Sequence, residues 1–430
     1  MGYWDNRVAA KENLRIFEAR TVWRRYADER DESNDTVTEE GCSRALDSVL
    51  INGLNSTNLL LLTGAGASFC VKNAEASKVT SKTAPSLKDL WSAVKTKVGD
   101  TRFAAVTAII PRGATITEIE KLLTHCKLYI ELYGETDDDG RAVAEFIKDA
   151  ETAILTRTDF VDDETDLTAH QSVLRKMARR GVRKPRARVF TTNYDLSIEY
   201  AARRQRFIVI DGFSHTAPQV YDRSHFGLDI VRREGAKDAP DFLDSVFQLY
   251  KLHGSIDWRR TPTEIIRSRG GEGESVLIYP RDSKYQEAFE PPYLDMMAAL
   301  QAALREPDTT IFIAGVSFND SHIAQPIWAA LESNMSFRMV VCDPAFLPEA
   351  LIEDDPITIK DVDRPKNLFH QKLLDFAQFG DERLALVNGR FEDLAVALPD
   401  LVAETERERH ALRMKALREA TSGGEGASQP

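Results

Sequence analysis

The chain has 430 residues, enough to bury a large core, and with 43% hydrophobic and 29% charged residues it reads as a globular protein that folds in water rather than a disordered or fibrous one. A formal charge of -12 argues against nonspecific binding to DNA or anionic lipid, no apolar run reaches the roughly 18 residues of a membrane-spanning helix, and the polar start Met1–Asp5 lacks the apolar stretch of a signal peptide. Cys42, Cys70, Cys126 and Cys342 are scattered with no CxxC pair, so neither a zinc site nor a disulfide scaffold is expected, and the reading is of a cytosolic chain with reduced thiols.

Residues 1–57 read as a helical segment, with Val8, Leu14, Phe17, Val22 and Trp23 spaced for one face. Leu59–Thr63 is short, apolar on both faces and followed by Gly64, which suits a buried strand of a parallel sheet. From about 86 to 181 the pattern is helical. Ile119, Leu122, Leu123, Cys126, Tyr129, Ile130 and Tyr133 follow three-four spacing up to Gly134, and two more helices complete a helical insertion.

Strand signals return at Arg188–Thr192, Phe207–Ile210, Val246–Leu252, Val276–Tyr279, Thr310–Val316 and Met339–Cys342, with helices Leu196–Arg204, Tyr293–Arg305 and Ile323–Ser333 between them. This alternation predicts an α/β fold with a doubly wound, mostly parallel, Rossmann-like sheet spanning residues 58–345. Arg259–Glu274 reads as a mobile surface loop, residues 346–420 as a helical C-terminal extension, and residues 421–430 as a disordered tail. The basic runs Arg175–Arg188 and Arg203–Arg206 carry no interleaved aromatics, so they read as solvated faces rather than nucleic-acid patches.

Four motifs follow apolar runs: TGAGAS (Thr63–Ser68), TTNYD (Thr191–Asp195), KLHGS (Lys251–Ser255) and IFIAGVS (Ile311–Ser317). Strand ends of a parallel α/β sheet are where several loops reach one ligand. Gly64 and Gly66 leave no Cβ to block a pyrophosphate, and Ser68 adds a hydroxyl; the same glycines also suit a tight strand-to-helix turn. Asn193 offers a donor and an acceptor, and Asp195 a fixed negative charge that equally suits an Asx turn capping the next helix. The imidazole of His253, with an ordinary pKa of about 6.5, is suited to proton transfer at neutral pH. His322 is the second histidine candidate, beside Asp320 and Ser321, which read first as a helix N-cap. Asp343 ends the run MVVC and reads either as a ribose-diol acceptor or as turn chemistry before Pro344.

Together these motifs resemble the sirtuin family, from about Leu59 to Asp343. The resemblance implies that Gly64, Ala65, Gly66 and Ser68 contact dinucleotide phosphates. It places Asn193 and Asp195 on the nicotinamide side, makes His253 the catalytic base, and puts Gly315 and Ser317 on the adenosine side; Thr192 is a further cofactor-binding candidate. Protein-deacylating sirtuins carry a Gly-Ile-Pro-Asp-Phe-Arg stretch and a four-cysteine zinc module, both lacking here. GAGAS, APSLKDLW (Ala84–Trp91), TTNYD and KLHGSIDW are more similar to the sirtuin-like effectors of bacterial antiphage defence, one branch of which works with the hexameric ATPase HerA. That resemblance implies an NAD glycohydrolase with NAD as substrate and no metal. It also implies a HerA-type ATPase as partner and a homo-oligomer, while charge and the lack of long apolar runs set the expectation of no membrane and no direct sequence-specific nucleic-acid contact. The other readings are an NAD-dependent protein deacylase and a non-enzymatic NAD or ADP-ribose sensor.

Overall fold

The computed structural model describes residues 3–4, 7–31, 33, 35–73, 83–181, 183–233, 241–270, 273–277, 291–352 and 356–401. Its centre is a ten-stranded sheet in the spatial order Ile357–Thr358, Val22–Arg25, Arg15–Glu18, Leu384–Asn388, Arg338–Cys342, Thr309–Ala314, Asn58–Thr63, Arg188–Thr191, Val246–Lys251, Ile208–Ile210. The run from Leu384–Asn388 to Ile208–Ile210 is parallel throughout, and the three strands beyond Leu384–Asn388 are antiparallel.

The apolar runs explain the layering. Along Asn58–Thr63 every residue is buried, and successive side chains serve opposite faces: Leu60 and Leu62 join one core, Leu59 and Leu61 the other. Ile311 and Ile313 divide from Phe312 and Ala314 in the same way. The first core is closed by helices Tyr293–Arg305, Ser321–Ser333 and Leu368–Gln378, and the second by Ser43–Asn55, Thr168–Met177, Ser197–Arg204 and Phe391–Ala397. Helices on both faces of a mostly parallel sheet make this the doubly wound α/β architecture expected from the alternation.

The helical insertion is present as Leu87–Val98, Asp100–Ile109, Ile119–Tyr133, Asp138–Thr158 and Thr168–Met177. Ser86 starts it with a capping box to Asp89, and Gly134 at φ 75° ends the Ile119–Tyr133 helix. Its core of Val94, Val106, Leu122, Cys126, Val143 and Phe146 is contiguous with Tyr194, inside the motif TTNYD, and with Leu196 and Ile256, which follow TTNYD and KLHGS. The insertion therefore packs directly on the loops that carry the candidate chemistry.

Three sequence expectations are corrected. Residues 1–57 are not a helical segment: among the described residues Arg15–Glu18 and Val22–Arg25 form a hairpin between the edge strand Ile357–Thr358 and Leu384–Asn388, and only Ser43–Asn55 is α-helical. The turn places Ala19 and Arg20 at φ 49° and 66° with no glycine to announce it, so Phe17 and Trp23, paired across the hairpin, imitated helical spacing. The segment after residue 345 is not only helical, because Leu384–Asn388 is a parallel strand of the central sheet; residues 402–430, with the expected tail, lie outside the described residues. Arg259–Glu274 is largely ordered, contributing to a small antiparallel sheet of Gly254–Arg260, Ile265–Arg267 and Glu274–Leu277. Among the described residues no helix is long and apolar enough to cross a membrane.

Candidate functional site

Parallel register brings Thr63, Thr191, Lys251 and Ala314 to the same end of neighbouring strands, so the four motifs open from one edge of the sheet. Asn58–Thr63 has the earliest-following strand on one side and Thr309–Ala314 on the other, which makes it the switch point of the sheet.

The glycines here do more than admit a ligand. The Gly66 N–H donates to the Gly315 carbonyl at 3.0 Å, and a Cβ on Gly66 would lie 2.6 Å from the Gly315 Cα. A Cβ on Gly64 would meet the Gly315 oxygen at 2.6 Å. Gly315 itself sits at φ 68° with Ala67 N only 2.2 Å from where its Cβ would be. The two glycine loops interlock backbone to backbone, while Ala65 and Ser317 are exposed at their rim.

Asn193, Ser68 and Asp195 form one chain of hydrogen bonds. Asn193 Nδ2 donates to the Gly64 carbonyl at 3.0 Å and to Ser68 Oγ at 2.9 Å, and Ser68 Oγ donates to Asp195 Oδ2 at 2.9 Å. Both amide protons of Asn193 are thereby committed, so its Oδ1 is the atom left for a ligand. The Ser68 proton, expected to face phosphate, belongs to Asp195. Asp195 Oδ1 accepts from Ser197 N at 2.9 Å, so the Asx turn and the fixed charge coexist in one carboxylate. Thr192 is half-buried beside Gly64, its Oγ1 3.2 Å from where a Gly64 Cβ would stand.

His253 is buried, and its Nε2 lies 3.0 Å from Asp320 Oδ2. With Asp320 ionised, Nε2 carries the hydrogen and the Nδ1 lone pair is the basic site. Burial pushes the Asp320 carboxyl up, but the hydrogen bond and charge of His253 and the N–H of His322 outweigh it, holding the group below its ordinary value. Asp320 also caps the Ser321–Ser333 helix, its Oδ1 accepting from His322 N at 2.8 Å. The sequence marked the cap; the partnership with His253 rests on a fold-level juxtaposition.

A second residue beyond the sequence reading is Glu120, supplied by the insertion. Tyr194 Oη donates to Glu120 Oε1 at 3.1 Å, and the Tyr194 and His253 ring centroids are 6.4 Å apart. Burial raises the Glu120 carboxyl above its ordinary value, against the lowering influence of His253 and the Tyr194 hydroxyl. Only the tyrosine of TTNYD, a polar-tipped ring inside a ligand motif, hinted at such a partner.

Asp343 follows Cys342, which is in register with Ala314, so it leaves the sheet at the same end as Gly315. Its Oδ1 accepts from Ala345 N at 2.8 Å, so the turn reading before Pro344 is realised. Burial pushes its carboxyl up to about 6. His370, on the Leu368–Gln378 helix, places Nε2 3.7 Å from Asp343 Oδ2, too far for a hydrogen bond, and burial pushes its imidazole down to about 4. The partners shift against the direction an ion pair would impose, so burial rather than mutual attraction governs both. The thiols of Cys70, Cys126 and Cys342 are raised by burial, which keeps them weakly nucleophilic.

A cavity of about 790 Å³ opens elsewhere, on the small sheet, with Tyr221, Arg260, Glu264, Ile265 and Glu274 in its walls. No motif residue lines it, so the strand-end loops, with their convergent polar groups, define the candidate site.

Residues 187–360 match the family model of the SIR2-like domain, an interval containing Asn193, Asp195, His253, Gly315 and Asp320 but neither Gly64–Ser68 nor Glu120. No curated protein matches the chain. A solved structure from work on the "Structural Basis for the Mechanism and Regulation of Sir2 Enzymes" matches 86% of this chain and 98% of its own, with 12% identity and a TM-score of 0.34.

Proposed function

We propose that the chain hydrolyses NAD at the nicotinamide–ribose bond, giving nicotinamide and ADP-ribose. The observation that carries this reading is that the SIR2-like interval holds both the amide of Asn193, which Ser68 from outside the interval ties to Asp195, and a histidine fixed by an aspartate. The pyridinium nitrogen takes the bonding pair as the C1′–N bond breaks, so nicotinamide leaves neutral without a proton donor. The Asp195 carboxylate favours the positive character that builds on the ribose. Water attacks C1′, oriented by Asn193 Oδ1, and its proton passes to His253 Nδ1, a step typically worth about 100-fold to 10,000-fold. Asp320 steadies the imidazolium so formed.

The resemblance of GAGAS, APSLKDLW, TTNYD and KLHGSIDW to antiphage effectors supports extending this proposal: a cytoplasmic, oligomeric enzyme that depletes NAD during infection, working with a HerA-type ATPase. The phosphates would lie along Gly64, Ala65 and Gly66 with Thr192 beside Gly64, Ser68 would act through Asn193 because its hydroxyl is committed to Asp195, and the adenosine half would lie toward Gly315, Ser317 and Asp343.

The test is chromatography of NAD incubated with the purified chain, alone and with a HerA-type ATPase. Release of nicotinamide and ADP-ribose, abolished by Asn193→Ala and by His253→Ala, is the expected result. Cleavage only with an acetyl-lysine peptide would replace hydrolysis by deacylation, and tight NAD binding without product would make the chain a sensor.

A further inference from the structure

We infer that Lys251 is a positioning residue: its buried ammonium clamps the loop bearing Asn193 and Asp195 to the strand bearing His253, and so sets the spacing of the two candidate reacting groups. The inference rests on the NAD reading for its kinetic consequence, though not for the clamp itself.

Lys251 is 2% exposed at the end of the Val246–Lys251 strand, two residues before His253. Its three N–H donors have three acceptors: the Tyr194 carbonyl at 3.3 Å, the Asp195 carbonyl, and Glu199 Oε1 at 2.9 Å. All belong to the segment that leaves the neighbouring Arg188–Thr191 strand and enters the Ser197–Arg204 helix. The Tyr194 carbonyl also accepts from Ile256 N at 3.1 Å, so this loop is held from both sides of His253.

A parallel sheet fixes strands but not the loops leaving them. Thr191 and Lys251 are in register, yet Asn193 and His253 both lie beyond the last paired residues. Lys251 adds three side-chain bonds to the Ile256–Tyr194 backbone bond that joins those two loops, and its charge is matched by Glu199 rather than by solvent. Burial raises the Glu199 carboxyl and its Oε2 has no hydrogen-bond partner, so the pair is retained at a desolvation cost that a merely space-filling pair of apolar residues would avoid.

The test is the double variant Lys251→Met with Glu199→Gln, which removes the clamp without leaving a lone buried charge. Two readouts are taken on the full chain: kcat and KM for NAD, and amide hydrogen exchange of residues 192–197 against the Asn58–Thr63 strand. The expected result is a kcat lower by about tenfold to 100-fold with KM changed far less, since misplacement of reacting groups by about 1 Å has costs of this size. Faster exchange confined to residues 192–197 is expected with it. Unchanged exchange in residues 192–197 overturns the clamp whatever the turnover. If the wild type hydrolyses no NAD, the functional reading fails while the exchange arm still decides the clamp. Should the double variant not fold, Lys251→Gln, with one fewer donor and a shorter reach, carries the same two readouts and the same overturning result.

Discussion

His253 and Asp320 meet through a 3.0 Å contact between Nε2 and Oδ2, joining the end of one parallel strand to the cap of a helix that follows another. The carboxylate serves two partners at once, since Oδ1 accepts from His322 N. A side chain that starts a helix is thus also the group that selects the histidine tautomer.

Asp320→Asn separates the two roles. Asparagine still caps the helix, so above about pH 4 the melting temperature should fall only by the loss of the carboxylate's charged contacts, whereas its amide now donates to Nε2 and puts the imidazole hydrogen on Nδ1. NAD turnover should fall by about 100-fold to 10,000-fold, the range for losing an oriented base. The wild-type carboxyl lies below its ordinary value, so its stabilisation is present above about pH 4 and lost as pH falls further. Acid unfolding of the variant should therefore lack that component. Initial rates and circular-dichroism melts from pH 2 to 7 check both halves.

Ser68→Ala cuts the relay between Asn193 and Asp195. Ser68 is 2% exposed, so water does not take the place of its hydroxyl, and one amide proton and one carboxylate oxygen are left unpaired. A loss of about 1–3 kcal/mol is expected from unsatisfied buried groups. It should be joined by a drop in kcat of about tenfold or more from a loosened Asn193. Urea denaturation and initial rates would show it; wild-type values in both would mean that the backbone alone holds the amide.

The central strands and the four motif loops were legible because both carry local signals: unbroken apolar runs such as Leu59–Leu62, and small or polar residues directly after them. The hairpin of Phe17 and Trp23 was not, for its turn has no glycine. Leu384–Asn388 was missed because a five-residue strand at the end of a helical region has little period to measure. Asp320 and Glu120 escaped for a different reason: their roles depend on which residues the fold sets beside them, at sequence separations that spacing cannot carry.

Glu120 gives a prediction with the opposite sign to Asp320. Its carboxyl is raised, chiefly by burial, so the folded chain holds this proton longer than the unfolded one and stability declines as pH rises from the ordinary glutamate value of about 4.3. Glu120→Gln keeps an acceptor for the Tyr194 hydroxyl and removes the ionisation. Melting curves of the two proteins should coincide near pH 3 and separate toward neutrality with the variant higher. Parallel curves would mean that the carboxylate is solvated and the insertion does not close over this side of the site.

Asp343 and His370 should hide each other's titration. Raised to about 6, Asp343 makes the fold less stable by about 3 kcal/mol as pH climbs from 4 to 6, because the folded state binds the extra proton there. Lowered to about 4, His370 acts the other way, because the unfolded state binds the extra proton between pH 4 and 6.5 and stability grows by about 3 kcal/mol over that interval. The two nearly cancel in the wild type, whose stability contribution from this pair should be flat across pH 4 to 6.5. Asp343→Asn, which keeps an acceptor for Ala345 N, exposes the histidine and should lose stability steeply on acidification. His370→Phe exposes the aspartate and should gain stability over the same interval. Urea denaturation at half-unit pH steps resolves the three curves, and single variants that track the wild type would place both side chains in contact with water.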